Sequence, residues 1–143
     1  MRKLVVLVLA CLLSCTLQAQ SQGIRGKVTW SAGNQMPGPD RNNEGYRGIA
    51  RKIYVYQVTS LEQVVAEDGF YKTINNQLIK IGKSRKNGRF SIKLPPGTYS
   101  VFIQEQKGLW ANIFNEKNQI NTVQINAGQW TPLVINVNYM AAY

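Results

Sequence analysis

The stretch from Asn87 to Ile103, NGRFSIKLPPGTYSVFI, alternates apolar and polar side chains on both sides of a Pro-Pro-Gly sequence. Alternation at every second residue is the pattern of a β-strand with one buried face. Proline lacks an amide donor and glycine adopts reversed backbone conformations, so this sequence should end one strand and turn into the next. The Asn-Gly pair should form a tight turn before the first strand. The residues of this structural corner are Asn87, Gly88, Pro95, Pro96 and Gly97.

The same alternation recurs along the chain and predicts a β-sandwich. Seven segments of strand length are rich in β-branched and aromatic residues and are separated by turn residues, which is typical of an immunoglobulin-like sandwich. The segments are 24–30, 52–58, 78–84, 89–94, 98–103, 121–126 and 132–139. Parity predicts which side chains face the core in the opening stretch. These are Phe90, Ile92, Leu94, Tyr99, Val101 and Ile103.

Two segments depart from this alternation. Residues Ser31 to Gly48 are polar and rich in glycine and proline, and we expect a long loop that contacts a partner. Residues from Ser60 onward begin with a capping-box pattern, Ser60 and Gln63, which predicts a short helix from about Leu61 to Ala66.

The first residues of the chain have the composition of a secretory signal. Arg2 and Lys3 precede an uncharged apolar run from Leu4 to Leu13, which is shorter than the roughly 20 residues that a membrane-spanning helix needs. We expect a signal peptide at 1–19 and a mature domain at 20–143. The alternative is a lipoprotein signal at 1–14 with Cys15 lipidated, because Leu12 to Cys15 resembles a lipobox. The protein should therefore be exported to the periplasm, the cell surface or the medium, or anchored as an outer-membrane lipoprotein.

Charge and cysteine content restrict the interpretation further. Both cysteines, Cys11 and Cys15, lie in the signal segment, so the domain should be stabilised by burial rather than by disulfides. The chain has 17 Lys and Arg against 7 Asp and Glu, a net charge of +10. Such an excess favours anionic partners. An exported chain is not expected to meet nucleic acid, and a membrane should be a partner only through a lipidated Cys15.

Several of these segments resemble the carboxypeptidase regulatory-like domain. The matching residues are 26–28 (GKV), 52–56 (KIYVY), 84–103 (SRKNGRFSIKLPPGTYSVFI) and 107–108 (KG). The resemblance implies a prealbumin-like Greek-key sandwich of the kind found in exported proteins of Bacteroidota. Residues 34–39 (NQMPGP) and 138–143 (NYMAAY) are similar to a free-standing, uncharacterised subgroup. Such domains are usually accessory modules, and the resemblance implies no chemistry of its own.

The residue inventory gives no support for catalysis. The chain contains no histidine, whereas a zinc peptidase needs imidazole or carboxylate ligands around an open position. Its acidic residues show no paired spacing, and the loop 40–45 (DRNNEG) lacks a calcium-binding pattern. We therefore expect neither an enzyme nor a cofactor or metal site.

Two groups of residues are candidates for a partner surface. The basic group contains Lys80, Lys83, Arg85, Lys86, Arg89 and Lys93; the aromatic group contains Tyr54, Tyr56, Phe102 and Trp110. The basic residues either form a solvated edge or bind an envelope protein or anionic glycan. The aromatic residues would form an exposed patch if they lie outside the core. We expect a non-catalytic binding or assembly module of the cell envelope, with a carbohydrate-binding module that uses stacked aromatics as the alternative.

Overall fold

The computed structural model describes residues 21–38 and 46–142 and shows an all-β sandwich of a four-stranded and a seven-stranded sheet. The signal segment and the predicted boundary at residue 20 lie outside the described residues. The strands are β1 (Gly23–Asn34), β2 (Arg47–Gly48), β3 (Lys52–Gln57), β4 (Val64–Glu67), β5 (Phe70–Ile74), β6 (Leu78–Lys83), β7 (Arg89–Lys93), β8 (Gly97–Glu105), β9 (Gly108–Trp110), β10 (Thr122–Ile125) and β11 (Trp130–Ala142).

Strand β1 is the centre of the four-stranded sheet. On one side it pairs in parallel with β11, from Gly23 opposite Trp130 to Asn34 opposite Ala142, with one bulge between Trp30 and Ala32. On its other side it pairs antiparallel first with β7 and then with the short β2. The two longest strands of the fold, β1 and β11, therefore form the backbone of this sheet.

Strand β8 has the same role in the seven-stranded sheet. The strand order is β4-β5-β9-β8-β3-β6. The first half of β8 pairs with β10, and its last three residues pair with β9. The connection from β6 to β7 passes from the seven-stranded sheet to the four-stranded one. The structural corner at Asn87 and Gly88 lies within this connection.

The seven segments predicted as strands all form strands, and the core-facing residues predicted for the opening stretch are also confirmed. Phe90, Ile92, Leu94, Tyr99, Val101 and Ile103 are all buried in one cluster between the sheets. Ile24 and Val28 from β1 and Ile135 and Val137 from β11 complete the centre of that cluster. Four further strands, β2, β4, β5 and β9, were not predicted, because they are short and lack a long alternating pattern.

The predicted helix from Leu61 to Ala66 is wrong beyond its first turn. A single 3-10 turn covers Leu61–Gln63, and the backbone N–H of Ser60 donates to Gln63 Oε1 at 3.0 Å, as a capping box requires. Val64 and Val65 then continue as strand β4. Asp68 and Gly69 have φ values of 54° and 80° and form a tight turn into β5. Because β-branched residues and an Asp-Gly turn favour a hairpin, the helix does not propagate.

The structural corner has the conformation that its residues predict. Gly88 has a φ of 85°, and a Cβ built there would lie 2.2 Å from the Val28 carbonyl oxygen, so both conformation and space require glycine. The Asn87 side chain accepts a bond from Arg89 N–H at 3.0 Å. After the two prolines, Tyr99 Oη donates to the Pro95 carbonyl at 2.6 Å. Burial raises the pKa of Tyr99, so the hydroxyl stays protonated and keeps this hydrogen bond at neutral pH.

The predicted long loop is shorter at both ends than expected. Strand β1 continues through Ser31 to Asn34, and Arg47 and Gly48 form β2. Residues 39–45 of this loop lie outside the described residues. In the part of the chain that the structure describes, no helix is long and apolar enough to cross a membrane.

Candidate functional site

The outer face of the four-stranded sheet carries a regular array of basic side chains. Ile24 and Val28 face the core, so Arg25 and Lys27 between them point outward. The antiparallel register places Arg25 opposite Ser91 and Lys27 opposite Arg89. On the other side, the parallel register places these two residues beside Pro132 and Val134 of β11. Strands β1 and β7 thus present cations side by side, and β11 on the other side of β1 presents the apolar side chains of Pro132 and Val134.

Acidic residues are absent from the strands of the four-stranded sheet. The four-stranded sheet contains Arg25, Lys27, Arg47, Arg89 and Lys93 and no acidic residue in its strands. The described acidic residues all lie elsewhere, at Glu62, Glu67, Asp68, Glu105 and Glu116. A potential of one sign on one face attracts anions and raises their local concentration.

Like charges lie directly opposite one another at two positions. Lys27 is paired with Arg89 across β1 and β7, and Lys52 is paired with Lys83 across β3 and β6. Like charges at directly opposed strand positions are destabilising. Within the described residues, the ion pair between Arg51 and Glu105 is the only one, so no described carboxylate compensates either pair. The arrangement therefore costs stability.

These cations line two contiguous grooves along strand β7, which together we call the basic groove. The Trp130 end has a volume of about 550 Å³ and is lined by Ser21, Arg25, Lys80, Gly82, Ser91, Ile92, Lys93 and Trp130. The Arg85 end has a volume of about 700 Å³ and is lined by Arg25, Gly26, Lys27, Lys83, Arg85, Arg89, Phe90, Ser91 and Val134. Arg25 and Ser91 belong to both ends, so one extended ligand could occupy the whole groove.

Two contacts position the cations at the Trp130 end. The guanidinium carbon of Arg25 lies 4.4 Å from the centroid of the Trp130 ring, a cation-π distance that restrains a flexible side chain. Lys80 Nζ donates to the Lys93 carbonyl oxygen at 3.0 Å. That bond connects the edge of the seven-stranded sheet to the four-stranded sheet, so the groove is built by both layers.

The structure brings most of the predicted basic group together. Lys80, Lys83, Arg85, Arg89 and Lys93 all line the basic groove, whereas Lys86 is exposed in the turn and lines neither end. Sequence reasoning missed Arg25 and Lys27, which are about sixty residues away along the chain. Their outward parity in a strand with buried Ile24 and Val28 was the available signal, but it does not reveal that β1 pairs with β7.

The condition for an exposed aromatic patch is not met, because two of its four members are buried. Phe102 is fully buried and Trp110 is 4% exposed. Phe102 does point away from the central core, as parity predicts, but the outer face of the seven-stranded sheet is covered at that point. Tyr56 and Tyr71 pack edge-on against Phe102 with ring centroids 5.6 and 5.5 Å away. Burial raises the pKa of both tyrosines.

A second, smaller hydrophobic cluster covers Phe102 on the outer face of the seven-stranded sheet. Segment 111–121 lies across the seven-stranded sheet, where Ile120 N–H donates to the Thr59 carbonyl at 2.8 Å and Asn121 Nδ2 donates to the Val101 carbonyl at 2.8 Å. Tyr54 and Tyr56 are half-buried against this cluster. Trp110 faces the other way, into the main core beside Tyr139. The aromatic and basic groups therefore do not form one surface.

Glu105 is the one buried acid in the described part of the chain, and its partners are structural. Its carboxylate accepts from Arg51 Nε at 2.8 Å and from Tyr139 Oη at 2.9 Å, and its side chain is 5% exposed. Burial, and then the hydrogen bond to Glu105, raise the pKa of Tyr139. Because Tyr139 belongs to β11 and Glu105 to β8, this group connects the two sheets.

Replacing Lys27 by glutamate should stabilise the fold while it weakens anion binding. The change converts the repulsion between Lys27 and Arg89 into an attraction, and we expect an increase of about 0.5 kcal/mol in the free energy of unfolding at low salt. Urea unfolding measures this gain, which should shrink as salt is added. The control is Lys117→Glu, which has no opposed cation in a strand and should give no gain. Destabilisation by Lys27→Glu would contradict the register between β1 and β7.

Comparison with known proteins gives no match to a family model, a curated protein or a solved structure. Among the described residues, no group of three or more His, Cys, Asp or Glu side chains is placed to hold a metal ion. The chemistry of the basic groove is therefore the basis on which function can be inferred.

Proposed function

We propose that this protein is an exported, non-catalytic binding module of the cell envelope that holds an anionic glycan in its basic groove. The observation that carries the proposal is the cluster of cations in a groove that no described acidic residue lines. Cations from β1, β6 and β7 converge on the groove, while the described acids lie outside the four-stranded sheet. The signal-like start of the chain and its resemblance to carboxypeptidase regulatory-like modules support an envelope location and an accessory role.

The arrangement of the cations favours binding over solvation of an edge. Edge protection needs single charges that repel another strand, and Lys80 and Lys83 on β6 would be enough for that purpose. Arg25 and Lys27 lie on β1, which is the central strand of its sheet and has no free edge to protect. Their presence on the same surface as Arg89 is instead what a multivalent anion requires.

A shallow, rigid groove suits a polymer rather than a small molecule. The groove extends along β7, and its cations Arg25 and Lys27 on the neighbouring β1 are separated by the backbone repeat of about 6.8 Å for every second residue. Regularly spaced charges of low mobility match a chain with repeated anionic units. The alternative that uses stacked aromatics lacks its platform, because Trp110 and Phe102 are buried.

Titration of the purified protein with acidic and neutral polysaccharides tests the proposal. We expect polygalacturonate and dextran sulfate to bind and dextran not to bind. Between about 0.05 M and about 0.5 M sodium chloride, affinity for the charged polymers should fall steeply, because counterions compete for the same cations. Failure of both charged polymers to bind at low salt would refute the proposal. Equal binding of dextran would show that charge does not drive recognition.

A further inference from the structure

We infer that the Trp130 end of the basic groove is a subsite for one acidic sugar residue, with Arg25 as the group that binds its carboxylate. This inference rests on the proposed function and names the part of the ligand that the groove distinguishes. It predicts that the protein separates acidic glycans from other polyanions of the same charge.

Arg25 is held in an orientation that leaves its donors available. Its guanidinium carbon lies 4.4 Å from the centroid of the Trp130 ring, a contact that uses none of the N–H donors of the group in a hydrogen bond. A planar guanidinium binds a carboxylate through two parallel hydrogen bonds. No carboxylate lies beside Arg25 among the described residues, where Arg51 and Glu105 form the only ion pair. Arg25 is thus ordered before a ligand arrives, which reduces the entropy cost of binding.

The two ends of the groove differ in the chemistry that they offer. At the Trp130 end, Arg25 is accompanied by an indole and by the hydroxyls of Ser21 and Ser91. At the Arg85 end, the lining is dominated by cations, with Val134 as its exposed apolar side chain. The Trp130 end therefore adds the indole and the Ser21 hydroxyl to its cations Arg25, Lys80 and Lys93, whereas the other end has the shared Ser91 hydroxyl and offers mainly charge.

An acidic sugar carries all three features in a single ring. Its carboxylate suits Arg25, its hydroxyls suit Ser21 and Ser91, and its C–H face suits the uncovered part of the Trp130 indole. An acidic polypeptide lacks the hydroxylated ring, and an inositol lipid headgroup has such a ring but carries phosphate in place of the carboxylate. The volume of about 550 Å³ lies within the range of small-molecule sites. Because Arg25 and Ser91 also line the Arg85 end, the next charged unit of the same chain would meet Lys27 and Arg89.

The test compares three oligomers of equal length with the full-length protein: hexagalacturonate, hexaglutamate and maltohexaose. We expect hexagalacturonate to bind about tenfold more tightly than hexaglutamate at about 0.3 M salt, where screening weakens purely ionic contacts. Maltohexaose should not bind measurably. Hexagalacturonate should also change tryptophan fluorescence, since Trp130 lines the subsite, whereas Trp110 is buried in the core and Trp30 packs against it.

Two variants test whether the preference for hexagalacturonate arises at the Trp130 end of the groove. Trp130→Leu should lower affinity for hexagalacturonate about tenfold and remove the fluorescence change, while it alters hexaglutamate binding less than about twofold. Arg25→Lys keeps the charge but loses the planar fork, and it should lower the affinity for hexagalacturonate more than that for hexaglutamate, because flexible glutamate side chains can pair with the other cations of the groove. Thermal melting verifies that both variants remain folded, and Arg25→Lys keeps the test valid if Trp130→Leu does not fold.

The outcomes separate the subsite from the proposed function. Equal affinities for hexagalacturonate and hexaglutamate, unaffected by either variant, would overturn the subsite and leave a general polyanion groove. Binding of neither oligomer, together with binding to vesicles that contain an anionic phospholipid, would overturn both the subsite and the glycan proposal. A fluorescence change that persists in Trp130→Leu would place the sugar elsewhere and would also overturn the subsite.

Discussion

Replacement of Lys27, Arg85 and Arg89 together by glutamine should lower the affinity for polygalacturonate about 100-fold at low salt. Each cation beside an anionic surface contributes about 1 kcal/mol, and 1.4 kcal/mol corresponds to a factor of ten in affinity. The three residues line the Arg85 end of the groove, and none of them lines the Trp130 end. The salt dependence of the residual binding should also become weaker, because fewer counterions are displaced.

The matched control removes the same charge from the other sheet. Lys72, Lys107 and Lys117 lie on β5, in the turn after β8 and in segment 111–121, away from the basic groove. Their replacement by glutamine should change affinity by less than about threefold, since it affects only the long-range field, which salt screens. Isothermal titration with both variants at two salt concentrations decides the result. Equal losses in the two variants would show that net charge, and not the groove, governs binding.

The groove variant should remain at least as stable as the unmodified protein. Its glutamines remove the repulsion between Lys27 and Arg89, which lie opposite each other on β1 and β7. A loss of affinity combined with unchanged or higher stability identifies residues that are kept for binding rather than for folding. If the variant were instead much less stable, the lost affinity could not be assigned to the groove.

Replacement of Gly26 by alanine should unfold the protein or destabilise it by more than about 4 kcal/mol, an effect reserved for a small set of structural faults. A Cβ built at Gly26 would lie 1.6 Å from the Leu133 carbonyl oxygen and 2.6 Å from its carbon. Both are backbone atoms of the neighbouring strand, so no side chain can rotate away. The alanine can fit only if β1 and β11 separate, and their pairing extends along nearly the whole of both strands.

Thermal and urea unfolding measure this effect, with Gly38→Ala as the control. A Cβ at Gly38 would meet nothing within 4 Å, and its backbone has no positive φ, so the control should behave like the unmodified protein. Since a domain is typically stable by about 5 to 15 kcal/mol, Gly26→Ala should populate unfolded chains at moderate temperature. A Gly26→Ala protein as stable as the control would refute the parallel register of β1 and β11.

Local sequence predicted seven strands and the buried faces of the main core. It did not predict the hairpin after Ser60 or the covered outer face of the seven-stranded sheet. Phe90 and Ile92 were assigned correctly because alternation reports a buried face directly. The helix after Ser60 was predicted from a capping box that does form, but the hairpin at Asp68 and Gly69 determines the conformation of the residues after that first turn. A capping pattern specifies one turn, and propagation depends on the residues beyond it.

Only the part of the candidate site that is contiguous in sequence could be predicted. Lys80 to Lys93 lie close together in sequence, so their clustering could be recognised without a structure. Arg25 and Lys27 join them through pairing between strands that are distant along the chain. Parity showed that Phe102 points away from the main core, but only the position of segment 111–121 shows that this outer face is covered.

The amino-acid sequence by itself determined an all-β chain, the positions of seven strands, the turn at Gly88 and the excess of positive charge, because each depends on neighbouring residues. The tertiary structure decided that β1 lies between β7 and β11. That pairing places Arg25 and Lys27 beside Arg89, puts Trp130 against Arg25 and leaves Gly26 no room for a side chain. Long-range pairing is selected by the total burial of two faces and by the close approach of backbones, which no local pattern encodes.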